Sequence, residues 1–295
     1  MDTALIHRPL MCVSLPTNFC KDYKKVLLNC NFFSNAAASS FRCRCIKNEN
    51  SSESQEGFSV LRRDIHGDIG SVWSSMGFYM FSIHIPLSYG GLSVAAKILH
   101  QPVLNPQMEA FLILGIQTLE LGIVLLLLQY PGKPQYDLQD FFCPDESPKQ
   151  RSWLLASVLG FGFLLSLVFI TSDIADRLMG PKDVNNPFLK EILSSGSSSV
   201  TACILVYCII TPLLEEVVYR GFLLTSLASK MKWQQAVTFS SIVFSAAHFS
   251  GENFLQLLIV GFVLGCSYCW TGNLRSSVAI HSLYNALVLF FTFIS

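Results

Sequence analysis

The chain has 295 residues, 51% of them apolar and only 14% charged, with a mean hydropathy of +0.46. That balance excludes an ordinary soluble domain and points to a membrane protein of several spans. The formal net charge is zero, so the basic surplus expected of a nucleic-acid partner is absent.

The zero hides an asymmetry. Residues 1–47 carry Arg8, Lys21, Lys24, Lys25, Arg42, Arg44 and Lys47, but only Asp2 and Asp22 among the acids. A basic, acid-poor leader without a long apolar core resembles an organelle transit peptide rather than a secretory signal, plastid over mitochondrion. Processing is expected near the Phe41-Arg-Cys-Arg-Cys-Ile46 stretch; the bland alternative is a disordered tail. Cys12, Cys20, Cys30, Cys43 and Cys45 would leave with the leader. Cys266 and Cys269 have redox-pair spacing but lie in an apolar run without a second pair, so they read as small apolar filler. No disulfide framework is implied.

Residues 48–68 are polar and read as a linker. A first span is expected over residues 69–96, broken by Pro86 and Gly90-Gly91 and therefore kinked or partly re-entrant. A second is expected over 108–130, with Glu109 and Glu120 inside it, ended by Pro131-Gly132-Lys133-Pro134. An acidic loop with Asp137, Asp140, Asp145 and Glu146 leads to a third span, 153–171. A polar loop containing Gly180-Pro181 and a serine run follows. The fourth span covers about 200–227, where Pro212 should leave a carbonyl one turn earlier without its helical partner. A fifth apolar run, 236–249, holds His248. A sixth, 254–270, contains Gly261-x-x-x-Gly265, a close-packing pattern. The seventh, 277–293, carries His281 and Asn285. The expected fold is therefore all-α, a polytopic bundle of about seven transmembrane spans behind a disordered leader. Lys and Arg counted by side place the N-terminus in the compartment of synthesis or import.

The fourth span carries the chemistry. Glu215, Glu216 and Arg220 sit in an otherwise apolar run. An ionised group at mid-bilayer costs ~2.5–3.5 kcal/mol on insertion scales, so these three should face protein or water rather than lipid. Glu216 and Arg220 are four apart and share a helix face, the acid preceding the base. Glu215 points about 100° away and has no such partner. Two titratable groups in different environments can divide acid and base roles.

Glu215, Glu216, Arg220, His248, His281 and Asn285 make the candidate constellation. Peptide hydrolysis needs an activated water and donors for the tetrahedral oxyanion. A carboxylate beside an imidazole supplies the first. His281 and Asn285, four apart on one helix face, supply two N–H donors. Two other readings stay open on composition: a proton or ion relay, as in transporters, and satisfied structural polar groups. Among single residues, Arg220 reads as structural through Glu216. Glu109 and Glu120 read as snorkelling or bonded to neighbouring helices, and His84 beside Pro86 as a hydrogen-bonded kink residue.

The order Pro212-x-x-Glu215-Glu216-x-x-x-Arg220-Gly221, then Phe244-x-x-x-His248, then His281-x-x-x-Asn285 resembles the CPBP family of intramembrane proteases. That family includes the type II CAAX prenyl endopeptidases and bacteriocin-immunity proteins. The resemblance covers about residues 199–290 and divides the chain into N-terminal membrane helices, 69–198, and a protease-like core, 199–295. It implies that Glu215 and His248 activate water, that His281 and Asn285 form the oxyanion hole, and that Glu216 and Arg220 hold and polarise the site. The implied mechanism needs no cofactor, although Glu215, His248 and His281 would also make a three-ligand zinc set. The implied partners are the lipid bilayer and a membrane-associated protein or peptide substrate. A plastid leader places the protein in a chloroplast membrane, inner envelope or thylakoid, away from cytosolic prenylated substrates. A non-proteolytic scaffold of the same fold is the first rival reading and a Glu/His transporter the second.

Overall fold

The computed structural model describes residues 58–61, 68–129, 141–142, 151–179 and 186–294. The expected leader, most of the linker and most of the acidic loop lie outside the described residues. The chain divides into two units, residues 14–58 and the remainder, and every helix described belongs to the latter.

Eight helices, and no strand, make up the described part of this unit. Helix α1 (residues 69–98) is built of Ile69–Tyr79, a π-wound middle Met80–Tyr89 that contains Pro86, and Gly90–Ile98. Proline cannot supply the helical N–H, and the wider π turn absorbs the break. The kink expected at this point thus takes the form of a π segment. Helix α2 is Pro106–Gln129 and α3 is Trp153–Met179.

Helix α4, Pro187–Ser194, falls where a polar loop was expected. Its signals are local: Asn186 Oδ1 accepts from Leu189 N at 3.1 Å, and Pro187 starts the first turn. Leu189, Ile192 and Leu193 then bury one face. Eight residues with a serine-rich flank are too short to register as an apolar run.

Helix α5 spans Ser197–Ala228 and is π-wound at Val206–Ile210 and Val217–Leu224, on either side of the Thr211–Glu216 turn. Helix α6 is Trp233–Ala247, α7 is Phe254–Thr271 and α8 is Leu274–Ile294. Gly272, at φ +66°, ends α7 in the left-handed conformation that glycine adopts without penalty, and its N–H bonds to Tyr268 O at 2.7 Å.

Five helices, α2, α3, α5, α7 and α8, are long and apolar enough to cross a membrane. The other two expected spans are the interrupted α1 and the 15-residue α6. At 1.5 Å per residue α6 is about 22 Å long, short of the ~30 Å hydrocarbon core. Large apolar side chains such as Phe81, Val158, Leu126 and Phe169 are exposed on the helices, as a lipid-facing surface requires. This is a multi-pass membrane protein.

Helices α5, α6, α7 and α8 gather around a core that includes Val217, Leu223, Leu227, Val237, Phe244, Leu264 and Ile280. The glycine pair of α7 sets the approach of α6. A Cβ at Gly261 would lie 3.1 Å from Ser241 Cβ, and one at Gly265 would lie 3.1 Å from Val237 Cγ1. The close-packing reading of Gly261-x-x-x-Gly265 therefore describes a real contact.

Candidate active site

Pro212 has no N–H to offer the turn before it, so carbonyls near the break need other donors. Helix α8 provides them. Ser282 Oγ donates to Cys208 O at 2.8 Å, and Asn285 Nδ2 donates to Tyr207 O at 3.1 Å. These two bonds tie the broken segment of α5 to α8, shortly before Glu215 and Glu216.

Glu216 is fully buried, as is Arg220 to within 1%. Arg220 Nη1 donates to Glu216 Oε1 at 2.8 Å. The i,i+4 pairing expected from spacing is therefore present. Arg220 has further partners on α7 and α6: Nη2 donates to Gly261 O at 3.1 Å, and the guanidinium lies 4.4 Å from the Phe244 ring centroid. The bare backbone at Gly261 makes that carbonyl reachable. A delocalised guanidinium that meets a carboxylate, a carbonyl and a ring face has most of its surface compensated.

His281 reaches the same carboxylate. Its Nδ1 stands 2.9 Å from Glu216 Oε1, which can only accept. Nδ1 therefore carries the hydrogen, and the bond orients the ring so that Nε2 stands 3.7 Å from Glu215 Oε2. His248 follows the same logic at the end of α6. Its Nδ1 donates to Phe244 O at 2.7 Å, one turn back, and Nε2 stands 3.9 Å from Glu215 Oε1. Two imidazoles from different helices thus present Nε2 to the two oxygens of one buried carboxylate. Glu215 Oε2 makes no hydrogen bond among the described residues, nor do Glu216 Oε2 and Asn285 Oδ1. A buried polar group left unpaired costs ~1–3 kcal/mol, more when charged. Such atoms are rare in folded proteins and mark places where something besides stability is served.

The structure brings Glu215, Glu216, Arg220, His248 and His281 into one connected set. Asn285 lies one turn beyond His281 on α8, with its amide nitrogen on the Tyr207 carbonyl. No group of three or more His, Cys, Asp or Glu among the described residues is gathered so as to hold a metal ion. Glu215 stands between His248 and His281, whose Nε2 atoms are 3.9 and 3.7 Å from its two oxygens.

The family follows from a comparison with known proteins. Residues 197–287 match the family described as type II CAAX prenyl endopeptidase Rce1-like. The Rce1-like segment holds all six residues of the constellation. The membrane-embedded CAAX protease MroQ of Staphylococcus aureus (strain USA300) is 24% identical over 240 residues, 75% of this chain and 89% of that protein. An uncharacterized 24.3 kDa protein of Escherichia coli is 29% identical over 111 residues, 36% of this chain and 51% of its own length. No solved structure matches. The likeness to MroQ is longer than the Rce1-like segment, so it reaches into the N-terminal helices, where the motifs alone offered no guide.

Those N-terminal helices hold a second buried polar cluster. Glu120 of α2 is fully buried. Its Oε1 accepts from Tyr79 Oη at 2.8 Å and from His84 Nδ1 at 2.8 Å, and its Oε2 accepts from Ser88 Oγ at 2.9 Å. Gln117 Nε2 donates to Ser88 Oγ at 3.1 Å. Glu120 and His84 are thus bonded across helices, as their sequence context indicated. Tyr79, Ser88 and Gln117 were not legible as partners: they are ordinary polar residues in apolar runs, and only α1 packing on α2 pairs them. Ser282 was missed for the same reason, although Pro212 announced that a carbonyl cap was needed.

Proposed function

We propose that this protein is an intramembrane endopeptidase of the CAAX-prenyl-protease type, with Glu215 as the base that activates water. One observation carries the reading. Glu215 is a buried carboxylate whose Oε2 lacks a hydrogen bond, and Nε2 of His248 and of His281 stand 3.9 and 3.7 Å from its oxygens. With Nδ1–H committed to Phe244 O, neutral His248 offers a lone pair at Nε2. Two acceptors that face each other call for a molecule with two hydrogens between them, and water fits.

In this reading Glu215 takes a proton from that water as its oxygen attacks the peptide carbonyl. The carbonyl oxygen becomes the tetrahedral oxyanion. His281 Nε2 and the second Asn285 N–H donate to it. His281 carries both ring protons for that purpose, with Glu216 against its charge. The C–N bond then breaks, and the proton held by Glu215 passes to the leaving nitrogen. Glu216 and Arg220 hold α5 and His281 in place. The substrate is a membrane-associated protein or peptide. No step runs through a metal or cofactor. The plastid setting rests on residues 1–47 and predicts a mature N-terminus after about residue 40.

A non-proteolytic, partner-binding role has one observation in its favour. Ser282 and Asn285 both cap carbonyls of the broken helix, which a scaffold needs as much as an enzyme does. Terminal-peptide proteomics of native membranes from cells with wild type or Glu215→Gln separates the two. New peptide ends that vanish in Glu215→Gln are expected. Full rescue of a knockout by Glu215→Gln at wild-type protein levels overturns the protease reading.

A further inference from the structure

We propose that Tyr89, from outside the Rce1-like segment, is the positioning residue that aims His248 at Glu215, and that the Glu120 cluster holds Tyr89 in turn. The proposal rests on the protease reading above for its kinetic consequence, though not for its geometry.

His248 sits at the end of α6, where no further helical turn fixes it. The residue after it, Phe249, has φ +47°. Glycine is the usual occupant of such a helix end, because a Cβ makes the left-handed conformation unfavourable. A phenylalanine there needs an outside contact to keep it. Tyr89 supplies one on each side of His248. Its hydroxyl donates to Ala247 O at 3.1 Å, and its ring meets the Phe249 ring edge-on, centroids 5.4 Å apart at 87°. The backbone before His248 and the side chain after it are thus gripped by one residue of another helix. The Nδ1 bond to Phe244 O sets the rotation of the imidazole about its own bonds. Tyr89 sets where the backbone that carries it lies.

Tyr89 is the last residue of the π-wound segment of α1, and that segment is the one tied to Glu120. His84 stands edge-on to Tyr89, centroids 6.1 Å apart at 83°, while its Nδ1 bonds to Glu120. Tyr79, the residue just before the segment, and Ser88, its last but one, complete the ties. Pro86 removes one donor from the π-wound segment, and the bonds to the carboxylate help fix its shape. The path runs from Glu120 through His84 and Tyr89 to Ala247, His248 and Phe249, every step a hydrogen bond, a ring contact or a peptide link. It accounts for an ionisable residue in α2 that the proposed chemistry does not use.

The test uses full-length protein in lipid nanodiscs. The probe is an internally quenched farnesylated peptide ending in a CAAX sequence. The second readout is the ring 15N spectrum of His248, assigned by its loss in His248→Gln. Tyr89→Phe removes the hydroxyl and keeps the ring; Tyr89→Leu removes both contacts. Tyr89→Phe should lower kcat roughly tenfold and Tyr89→Leu roughly a hundredfold, the scale expected for misplacing a catalytic group by about 1 Å. KM should stay within about twofold, since the ground-state contacts to peptide are untouched. The His248 signals should move in both variants and those of His281 should not. Glu120→Gln should move the His248 signals in the same direction as Tyr89→Phe.

The proposal is overturned if Tyr89→Phe keeps wild-type kcat and His248 signals. It is equally overturned if Tyr89→Leu loses activity only in proportion to folded protein, with unmoved His248 signals. If wild type and Glu215→Gln treat the peptide alike, the protease reading fails instead, and the His248 spectrum still decides the role of Tyr89.

Discussion

Glu120 and Glu215 are both buried carboxylates in apolar helices and both face histidine, yet their surroundings differ. Glu120 takes hydrogen bonds from Tyr79, His84 and Ser88, with His84 Nδ1 at 2.8 Å. Glu215 has an oxygen with no hydrogen bond, and its histidines stand back at 3.7 and 3.9 Å. A carboxylate whose lone pairs are taken up by its neighbours has little capacity left for a substrate or a water. One that is buried and under-satisfied retains that capacity, and the fold bears the cost. The comparison separates a carboxylate satisfied by its neighbours from one left under-satisfied, as the proposed chemistry requires, although composition alone makes them alike.

The sharpest way to break that contrast is Glu215→Gln. The proposed base disappears while shape is kept, so cleavage should fall by ~10²–10⁴, the usual worth of positioned general-base catalysis. Accumulation should not fall, because Glu215 Oε2 has no hydrogen bond to lose. Quantitative immunoblotting beside a cleavage assay checks both. A drop in folded protein comparable with the drop in cleavage would place Glu215 with Glu120 as a structural group.

Arg220→Ala tests the neighbouring acid. It leaves Glu216 buried without its guanidinium and frees Gly261 O, so stability should fall by ~3–5 kcal/mol, the scale for breaking a buried pair on one side. Folded yield in membranes should drop along with activity. Normal yield with lost activity would mean that the roles of Glu215 and Glu216 are exchanged.

Asn285→Ala asks whether α8 only caps or also donates. As an oxyanion donor Asn285 should cost ~10²–10³ in turnover when removed. KM should change little, because such a donor acts in the transition state. Steady-state kinetics on reconstituted protein reads the split. Loss of folded protein with unchanged turnover per folded molecule would assign it to the Tyr207 carbonyl alone.

Ser282→Ala is the smallest change and sharpens the last result. It removes the Cys208 cap and nothing in the proposed chemistry. Interhelical hydrogen bonds in membranes average ~0.6 kcal/mol, so thermal unfolding should shift slightly and turnover per folded molecule should hold. A turnover loss on the scale of Asn285→Ala would show that both effects come from a displaced α5.

The sequence by itself determined the class of fold and the helices that carry the candidate site. Apolar runs long enough for a bilayer are countable, and ionisable residues inside them are too costly to be accidental. The Glu216–Arg220 pair is a consequence of helical spacing. Pro212 announced a missing hydrogen bond, because proline removes a donor wherever it stands. These inferences depend on the chain's local periodicity and on the cost of desolvation. They hold whatever the helices pack against.

Only the tertiary structure decided which groups meet. Glu215, His248 and His281 come from three helices, and no spacing along the chain connects residues 215, 248 and 281. The donors that answer Pro212 come from α8, more than 70 residues away in sequence. The role of Glu120 was set by α1 packing against α2, through a π-wound turn that no periodicity marks. Helix α4 escaped notice because its apolar face is short and its evidence is a cap. Side chains on separate helices are brought together by burial of apolar surface, which has no direction of its own. Polar partners are therefore fixed by whichever close packing the whole bundle finds.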